Sequence, residues 1–114
     1  DLKHLPSGGH GFHIHEKGAC APDFKSAGGH FNPAGREHGI ANPKGSHGGD
    51  MPNLYAAADG TVKAEALNAK VTLGPGANSL FDGDVSAIVI HVAPDSHGAD
   101  PSASARIACS VIRR

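Results

Sequence analysis

The segment GFHIH, residues 11–15, places two histidines one residue apart between apolar neighbours. If this segment is a β-strand, His13 and His15 project from the same face, because side chains alternate along a strand. Two imidazoles on one face can act as a pair of metal ligands, or they can be ordinary polar positions of a half-buried strand. The other histidines of the chain favour the metal interpretation.

Nine of the 114 residues are histidines, and three of them follow one another in the glycine- and proline-rich segment 17–53. This segment has no sustained strand or helix periodicity, and so long an irregular stretch in a small domain needs something other than an apolar core to order it. Three imidazoles and one carboxylate form a closed tetrahedral set that suits zinc, and zinc binding would order the segment. The set is His30, His38, His47 and Asp50.

Another histidine, His91, lies near the end of the most apolar run in the chain, VSAIVIHV at residues 85–92. This β-branched run is typical of a core strand, where a solvated polar residue would be out of place. Together with His13 and His15, His91 would present imidazoles from two strands. Copper favours a ligand set of this kind.

The composition limits the other classes of function. The formal net charge is −1, and neither a basic run nor an aromatic stacking platform is present, which argues against nucleic-acid binding. No apolar stretch approaches the length of a membrane span. Cys20 and Cys109 lie far apart and form no C-x-x-C motif, so they are either two free thiols or one long-range disulfide. A disulfide would indicate an oxidising compartment.

The elements that would position these ligands are short strands. Besides residues 10–16 and 85–92, strand-like runs cover 54–58, 61–67, 69–73 and 106–112, with a turn at Asp59 and Gly60. Residues 93–104 read as a polar loop, and no segment reads as a long helix. Short strands joined by long loops predict an all-β protein, either a sandwich or a barrel.

Several motifs together resemble the copper/zinc superoxide dismutases: HGFHIH, SAGGHFNP, the HG at residues 38–39, GSHGGD and RIACSVI. The resemblance runs from about residue 8 to the C-terminus. The extra residues between Cys20 and Ser26 resemble the bacterial, secreted branch of that family. The implied fold is a Greek-key β-barrel, similar to an immunoglobulin sandwich, with long metal-binding and electrostatic loops.

The resemblance also implies a role for each motif residue. Copper would be held by four histidines, and zinc by the set described above, with His30 shared as a bridging imidazolate. Asp95 matches an aspartate that hydrogen-bonds one histidine of each metal, and Cys20 and Cys109 match a disulfide pair. Arg106 matches the arginine that draws the superoxide anion to copper, which makes Arg106 and His30 the expected catalytic residues. The implied copper ligands are His13, His15, His30 and His91.

The implied activity is that of an antioxidant oxidoreductase, which disproportionates superoxide to dioxygen and hydrogen peroxide. Copper would carry the electrons and zinc would be structural. The alternative is a non-enzymatic, dismutase-like domain that binds or delivers metal. A zinc hydrolase is disfavoured because four protein ligands leave no position for water. The expected location is the periplasm or the cell exterior, because a disulfide persists there.

The resemblance is incomplete in two places. The loop between His91 and Arg106 is short and contains no lysine, so substrate guidance would depend more heavily on Arg106. In addition, about three N-terminal strands of the family have no counterpart in residues 1–114, which we interpret as one domain that is partial at its N-terminus. One explanation is that the chain is a fragment. The other is that a second chain covers the exposed sheet, either in a homodimer or as a strand-completing partner. Outside the metal sets, we expect His10 to be structural and His4 and His97 to be solvated.

Overall fold

The computed structural model describes residues 1–100 and 104–114. Its five strands are β1 (Gly8–His10), β2 (Phe12–His15), β3 (Leu54–Ala56), β4 (Ala87–His91) and β5 (Arg106–Val111), and its one helical element is a 3₁₀ turn at Phe24–Ala27. The strands form a two-stranded sheet, β1–β3, and a three-stranded sheet, β2–β4–β5. The all-β prediction is therefore confirmed.

The antiparallel register of the three-stranded sheet brings the predicted ligands to one face. His13 pairs with Val89 and His15 pairs with Ala87, so these four residues share a face. His91 lies two residues beyond Val89 and opposite Arg106, after an irregularity between Ile90 and His91. The apolar strand β4 lies between β2 and β5, and its residues Ala87 and Val89 are fully buried.

The opposite face of this sheet and the second sheet enclose the apolar core. One cluster contains Ile14, Phe31, Met51 and Leu80, and a second contains Leu54, Ala56, Val62 and Ile90. Phe12 packs against both clusters. The alternation along β2 therefore separates an apolar side from the side that carries the two histidines.

The long irregular segment after β2 is held along the free edge of that strand. Ile14 donates its backbone N–H to Gly49 and accepts one from Phe31, at 2.9 and 2.8 Å, and isolated bridges pair His13 with Asp50 and His15 with His30. Hydrogen bonds to an edge strand thus bring the two ends of the predicted zinc segment next to β2.

Two of the predicted strands are not formed. Residues 61–67 contribute only the bridge between Val62 and Leu2, and residues 69–73 only the bridge between Thr72 and Ser79. Leu67 is 93% exposed and Leu73 is 61% exposed, so their apolar side chains face no partner sheet among the described residues. Strand-like composition without a neighbouring strand leaves these segments irregular.

Cys20 and Cys109 form a disulfide. Both residues pack against the buried cluster of Ala27, Ala87 and Val89. The bond therefore joins the segment before the 3₁₀ turn to β5, and the alternative of two free thiols is wrong. None of the helical structure in the described ranges is long and apolar enough to cross a membrane.

His10 is a structural residue, as the sequence predicts, because it is 1% exposed and both of its ring nitrogens lie near carbonyl oxygens. Nδ1 is 2.8 Å from the carbonyl oxygen of His91, and Nε2 is 2.7 Å from that of Pro6. The substitution His10→Phe should lower the free energy of unfolding by about 0.5–1.5 kcal/mol, since it removes the hydrogen bond from the buried ring to a backbone carbonyl. Chemical denaturation tests this, with the exposed residue His4 changed to Phe as the control; equal stability of the two variants would refute the structural role.

Candidate metal centre

Four histidines converge on the face of β2 and β4 described above. Donor atoms from His13, His15, His30 and His91 all lie within 4.8 Å of one another. His13 and His15 come from β2, His91 comes from the end of β4, and His30 comes from the segment bridged to β2. The structure therefore brings together all four histidines of the predicted copper set.

Three of these rings are held by hydrogen bonds at one nitrogen. His13 Nε2 donates to Asp95 Oδ2 at 2.9 Å, His15 Nδ1 donates to the Gly28 carbonyl at 2.9 Å, and His91 Nδ1 donates to the Ser104 carbonyl at 3.0 Å. Each bond requires a proton on the nitrogen that donates. The second nitrogen of each neutral ring therefore carries a lone pair.

Those second nitrogens are buried and have no hydrogen-bond partner among the described residues: His13 Nδ1, His15 Nε2 and His91 Nε2. Buried polar atoms are rarely left unpaired, because their lost hydration is not recovered. Burial also lowers the pKa of His13 to about 4 and that of His15 to about 3, so both rings are neutral at pH 7. Three neutral imidazoles with free, buried lone pairs fit a soft or borderline metal cation such as copper.

The second predicted set, in the loop segment, is more tightly clustered. His30 Nδ1 lies 3.1 Å from His47 Nδ1, 3.3 Å from His38 Nδ1 and 3.0 Å from Asp50 Oδ1. The Asp50 oxygen is also 3.2 Å from His38 Nδ1 and 3.3 Å from His47 Nδ1. A tetrahedral zinc ion with bonds of about 2.0–2.1 Å would separate its ligand atoms by roughly 3.3–3.4 Å. The separations in this set, 3.0–3.3 Å, are close to that spacing, so the set fits such an ion.

A cation would also relieve a repulsion within this set. His38 donates its Nε2 proton to Asp95 at 2.9 Å, so its Nδ1 presents a lone pair to the Asp50 carboxylate. Burial raises the pKa of Asp50, but the hydrogen bonds from His30 and from the Gly39 N–H outweigh it, and the pKa falls well below its usual range. A lone pair facing an ionised carboxylate is unfavourable without a positive charge between them.

His13 also has a donor atom within 4.8 Å of those of His30, His38 and Asp50. The shorter contacts nevertheless favour His47 as the fourth member of this set, because its Nδ1 is 3.1 Å from His30 and 3.3 Å from Asp50. His13 Nε2 is already used by Asp95, and its other nitrogen belongs to the four-histidine set. His30 is common to both sets.

Asp95 connects the two sets directly. Its carboxylate accepts hydrogen bonds from His13 Nε2 and His38 Nε2, one histidine from each set. Burial raises the pKa of Asp95, but these two hydrogen bonds, His38 first, lower it by more, so the group is ionised at neutral pH. A carboxylate in this position fixes the orientation and tautomer of both rings.

Two residues that support Asp95 were not predicted from the sequence. The Asn53 side chain accepts the Asp95 N–H at 2.8 Å and donates to the Asp95 carbonyl at 2.9 Å, and His97 donates its backbone N–H to Asp95 Oδ1 at 3.2 Å. The His97 side chain is 25% exposed, so it is partly buried rather than fully solvated, whereas His4 is exposed. A lone asparagine far from Asp95 in sequence carries no signal of this role.

Arg106 lies beside the four-histidine set and is fixed at both ends of its guanidinium group. It donates to the Phe24 and Gly28 carbonyls, each at 2.7 Å, and the Gly28 carbonyl is the one that also orients His15. Burial lowers the pKa of Arg106, but its ordinary value is so high that the group remains charged. A cleft of about 580 Å³ opens at Arg106, and its other polar lining residues are Lys25, Ser104 and the carboxylate of Asp23. The remaining guanidinium donors can meet a small anion there.

The substitution Asp95→Asn should weaken binding of both metals by about 10–100-fold, because an amide cannot accept from both histidines as the carboxylate does. Competition titrations with chromophoric chelators would measure zinc and copper affinity separately. Asp82→Asn, at an exposed carboxylate, is the matched control. A loss confined to one metal would show that Asp95 does not couple the two sets.

Comparison with known proteins agrees with this geometry. Residues 1–112 match the family model described as copper/zinc superoxide dismutase. The chain is 55% identical over 106 residues to "Superoxide dismutase [Cu-Zn] 2" of Aquifex aeolicus, covering 90% of this chain and 62% of that protein. It is 47% identical over 119 residues to "Superoxide dismutase [Cu-Zn]" of Caulobacter vibrioides, covering 99% of this chain and 68% of that protein.

A solved structure is similar along nearly the whole chain. A crystal structure of a superoxide dismutase-like protein from Bacillus subtilis has a TM-score of 0.86 and 45% sequence identity, and the match covers 95% of this chain and 75% of that chain. The present chain spans less than two thirds of the length of the Aquifex aeolicus relative, 62%, and 68% of the Caulobacter vibrioides relative.

Proposed function

Because the chain belongs to the copper/zinc superoxide dismutase family, we propose that it disproportionates superoxide to dioxygen and hydrogen peroxide. The observation that carries the proposal is the set of three buried, neutral imidazoles whose free nitrogens converge with His30. Such a set supports copper coordination by His13, His15, His30 and His91. The second set supports zinc coordination by His30, His38, His47 and Asp50.

Bound copper supplies a one-electron redox couple, which zinc lacks. His30 would hold zinc through Nδ1, the atom next to His47 and Asp50, which would leave its Nε2 for copper and make the ring an imidazolate shared by both metals. When this Nε2 is not bound to a metal, it can hold a proton beside the substrate and give it to the departing peroxide. His30 is therefore proposed as a catalytic residue as well as a ligand.

Arg106 is proposed to bind and orient the superoxide anion. Its guanidinium is held rigidly by two loop carbonyls and shares the Gly28 carbonyl with His15, which keeps the positive charge beside the copper set. A fixed guanidinium binds a small anion at lower entropic cost than a mobile one. The cleft at Arg106 is open to solvent, so an anion can reach the guanidinium from solution.

The proposed location is the periplasm or the cell exterior. The disulfide between Cys20 and Cys109 supports it, because such bonds persist in oxidising compartments and are rare in the cytosol. No nucleic acid or membrane is among the proposed partners, whereas a homodimer or a strand-completing partner chain remains part of the proposal.

Metal reconstitution tests the function. Chain loaded with copper and zinc should accelerate superoxide decay, whereas metal-free and zinc-only chain should not. Metal content per chain is measured on the same samples, so that inactivity cannot be mistaken for poor loading. Full activity of zinc-only chain would exclude the copper mechanism. Stoichiometric copper binding without turnover would favour the alternative of a non-enzymatic, dismutase-like domain.

A further inference from the structure

A second cleft lies between the segment 33–48 and residues Lys70 and Asn78, and no residue of the two metal sets lines it. Its volume is about 330 Å³, and its polar lining consists of Arg36, Ser46, Lys70 and Asn78. Proline, alanine and glycine residues complete the lining, which contains no carboxylate. Since one water molecule occupies roughly 30 Å³, the cleft has room for a small anion and several waters.

The two cations of this cleft stand without a counter-charge. Neither Arg36 nor Lys70 forms an ion pair with a carboxylate within residues 1–100 and 104–114, where the ion pairs are those of the histidines. Lys70 Nζ instead donates to the hydroxyl of Ser46, a residue that is only 7% exposed. Both residues are exposed, and a bound anion would supply the carboxylate-like counter-charge that neither has.

The backbone at each cation is fixed by an asparagine side chain. Asn32 accepts the Arg36 N–H at 3.0 Å and donates to the Arg36 carbonyl at 2.8 Å. Asn68 accepts the Lys70 N–H at 2.9 Å and donates to the Gly48 carbonyl at 2.7 Å, which ties Lys70 to the metal segment. The cleft is therefore built from anchored backbone, which reduces the entropic cost of ligand binding.

Two buried residues, Ser46 and Gly48, are part of the cleft lining and have hydrogen-bond donors that the described residues do not use. Gly48 is buried, and its backbone N–H donates to no acceptor in the described part of the chain. The Ser46 hydroxyl accepts from Lys70 and retains its own proton to donate. Charged donors, a hydroxyl and backbone N–H groups are the groups that bind oxyanions in proteins.

From these observations we propose that the cleft binds a small, multiply charged oxyanion of the phosphate class, held by Arg36 and Lys70 against Ser46. Ser46 and Gly48 flank His47, so the bound anion would brace the segment that carries this member of the zinc set. This binding site is separate from the cleft at Arg106, whose lining shares no residue with it.

Calorimetric titration of the metal-loaded chain with inorganic phosphate tests the proposal, in a buffer whose ionic strength is matched with chloride. We expect saturable binding of one phosphate in this cleft, and Lys70→Gln and Arg36→Gln should each weaken it by about tenfold or more. Amide chemical shifts of Ser46 and Gly48 should move during the same titration. A parallel titration with glycerol phosphate distinguishes free phosphate from a phosphate ester as the preferred form.

Two control variants separate this cleft from other positive charges. Lys63→Gln changes an exposed lysine outside the cleft and should leave phosphate affinity unchanged. Arg106→Gln removes the cation beside the copper set and should leave this binding event unchanged as well. The proposal is overturned if phosphate does not saturate a site, if Lys63→Gln weakens binding as much as Lys70→Gln, or if Arg106→Gln alone abolishes binding.

Discussion

Reduction of the Cys20–Cys109 disulfide is expected to lower the free energy of unfolding by about 4–5 kcal/mol. The two residues are separated by 89 positions, so the bond removes a large amount of conformational entropy from the unfolded chain. It also ties the start of the metal-binding segment to β5, the strand that carries Arg106. Without it, zinc affinity should fall, because binding must then order a looser segment.

Denaturant titrations with and without reductant measure this effect on metal-free chain, where loss of metal cannot contribute. The double substitution Cys20→Ala and Cys109→Ala is the control, because the sequence contains only these two cysteines and reductant should not affect that variant. A change below about 1 kcal/mol on reduction would show that the bond contributes little to stability. Alkylation and mass spectrometry of protein taken from its native compartment would test the proposed location, since two alkylated cysteines contradict it.

The metal-binding side chains could be predicted because their chemistry is a property of residue type. Imidazoles at positions 13 and 15 share a face in any strand, so the alternation of GFHIH was sufficient to predict that His13 and His15 project together. The convergence of His30 and His91 on the same point depends on strand pairing. It was implied by resemblance to a family rather than by local pattern.

The groups that orient the ligands could not be predicted in the same way. The Gly28 and Ser104 carbonyls each fix one ring, yet every residue carries a carbonyl, and only the fold selects those two. The roles of Asn53 and His97 in holding Asp95 likewise depend on contacts between distant segments. The strands predicted at 61–67 and 69–73 failed for a related reason, since strand formation needs a partner that local composition does not specify.

Reversing the charge at position 106 should lower the activity more than any other substitution outside the proposed metal ligands. We expect Arg106→Glu to lower kcat/KM for superoxide by about 100-fold or more, because electrostatic steering changes association rates by factors of roughly 10–1,000 and reversal adds repulsion to lost attraction. Lys25 and Asp23 also line the cleft at Arg106, and both are exposed. Their opposite charges offset each other, so Arg106 supplies the net positive charge of the cleft.

Arg106 also donates to the Phe24 and Gly28 carbonyls, so the substitution removes two hydrogen bonds together with the charge. Copper content and pulse-radiolysis rates must therefore be measured on the same samples, with neutral Arg106→Gln and cationic Arg106→Lys as matched variants. Steering predicts a rate order that follows charge, with Lys above Gln and Gln above Glu at equal copper content.

Steering also predicts that the rate of the unmodified chain falls as ionic strength rises, since the Debye length is only about 8 Å at physiological salt. The Glu variant should lose or reverse this dependence. If all three variants lose copper in proportion to activity, Arg106 acts by holding the Gly28 carbonyl that orients His15, and the steering role is wrong.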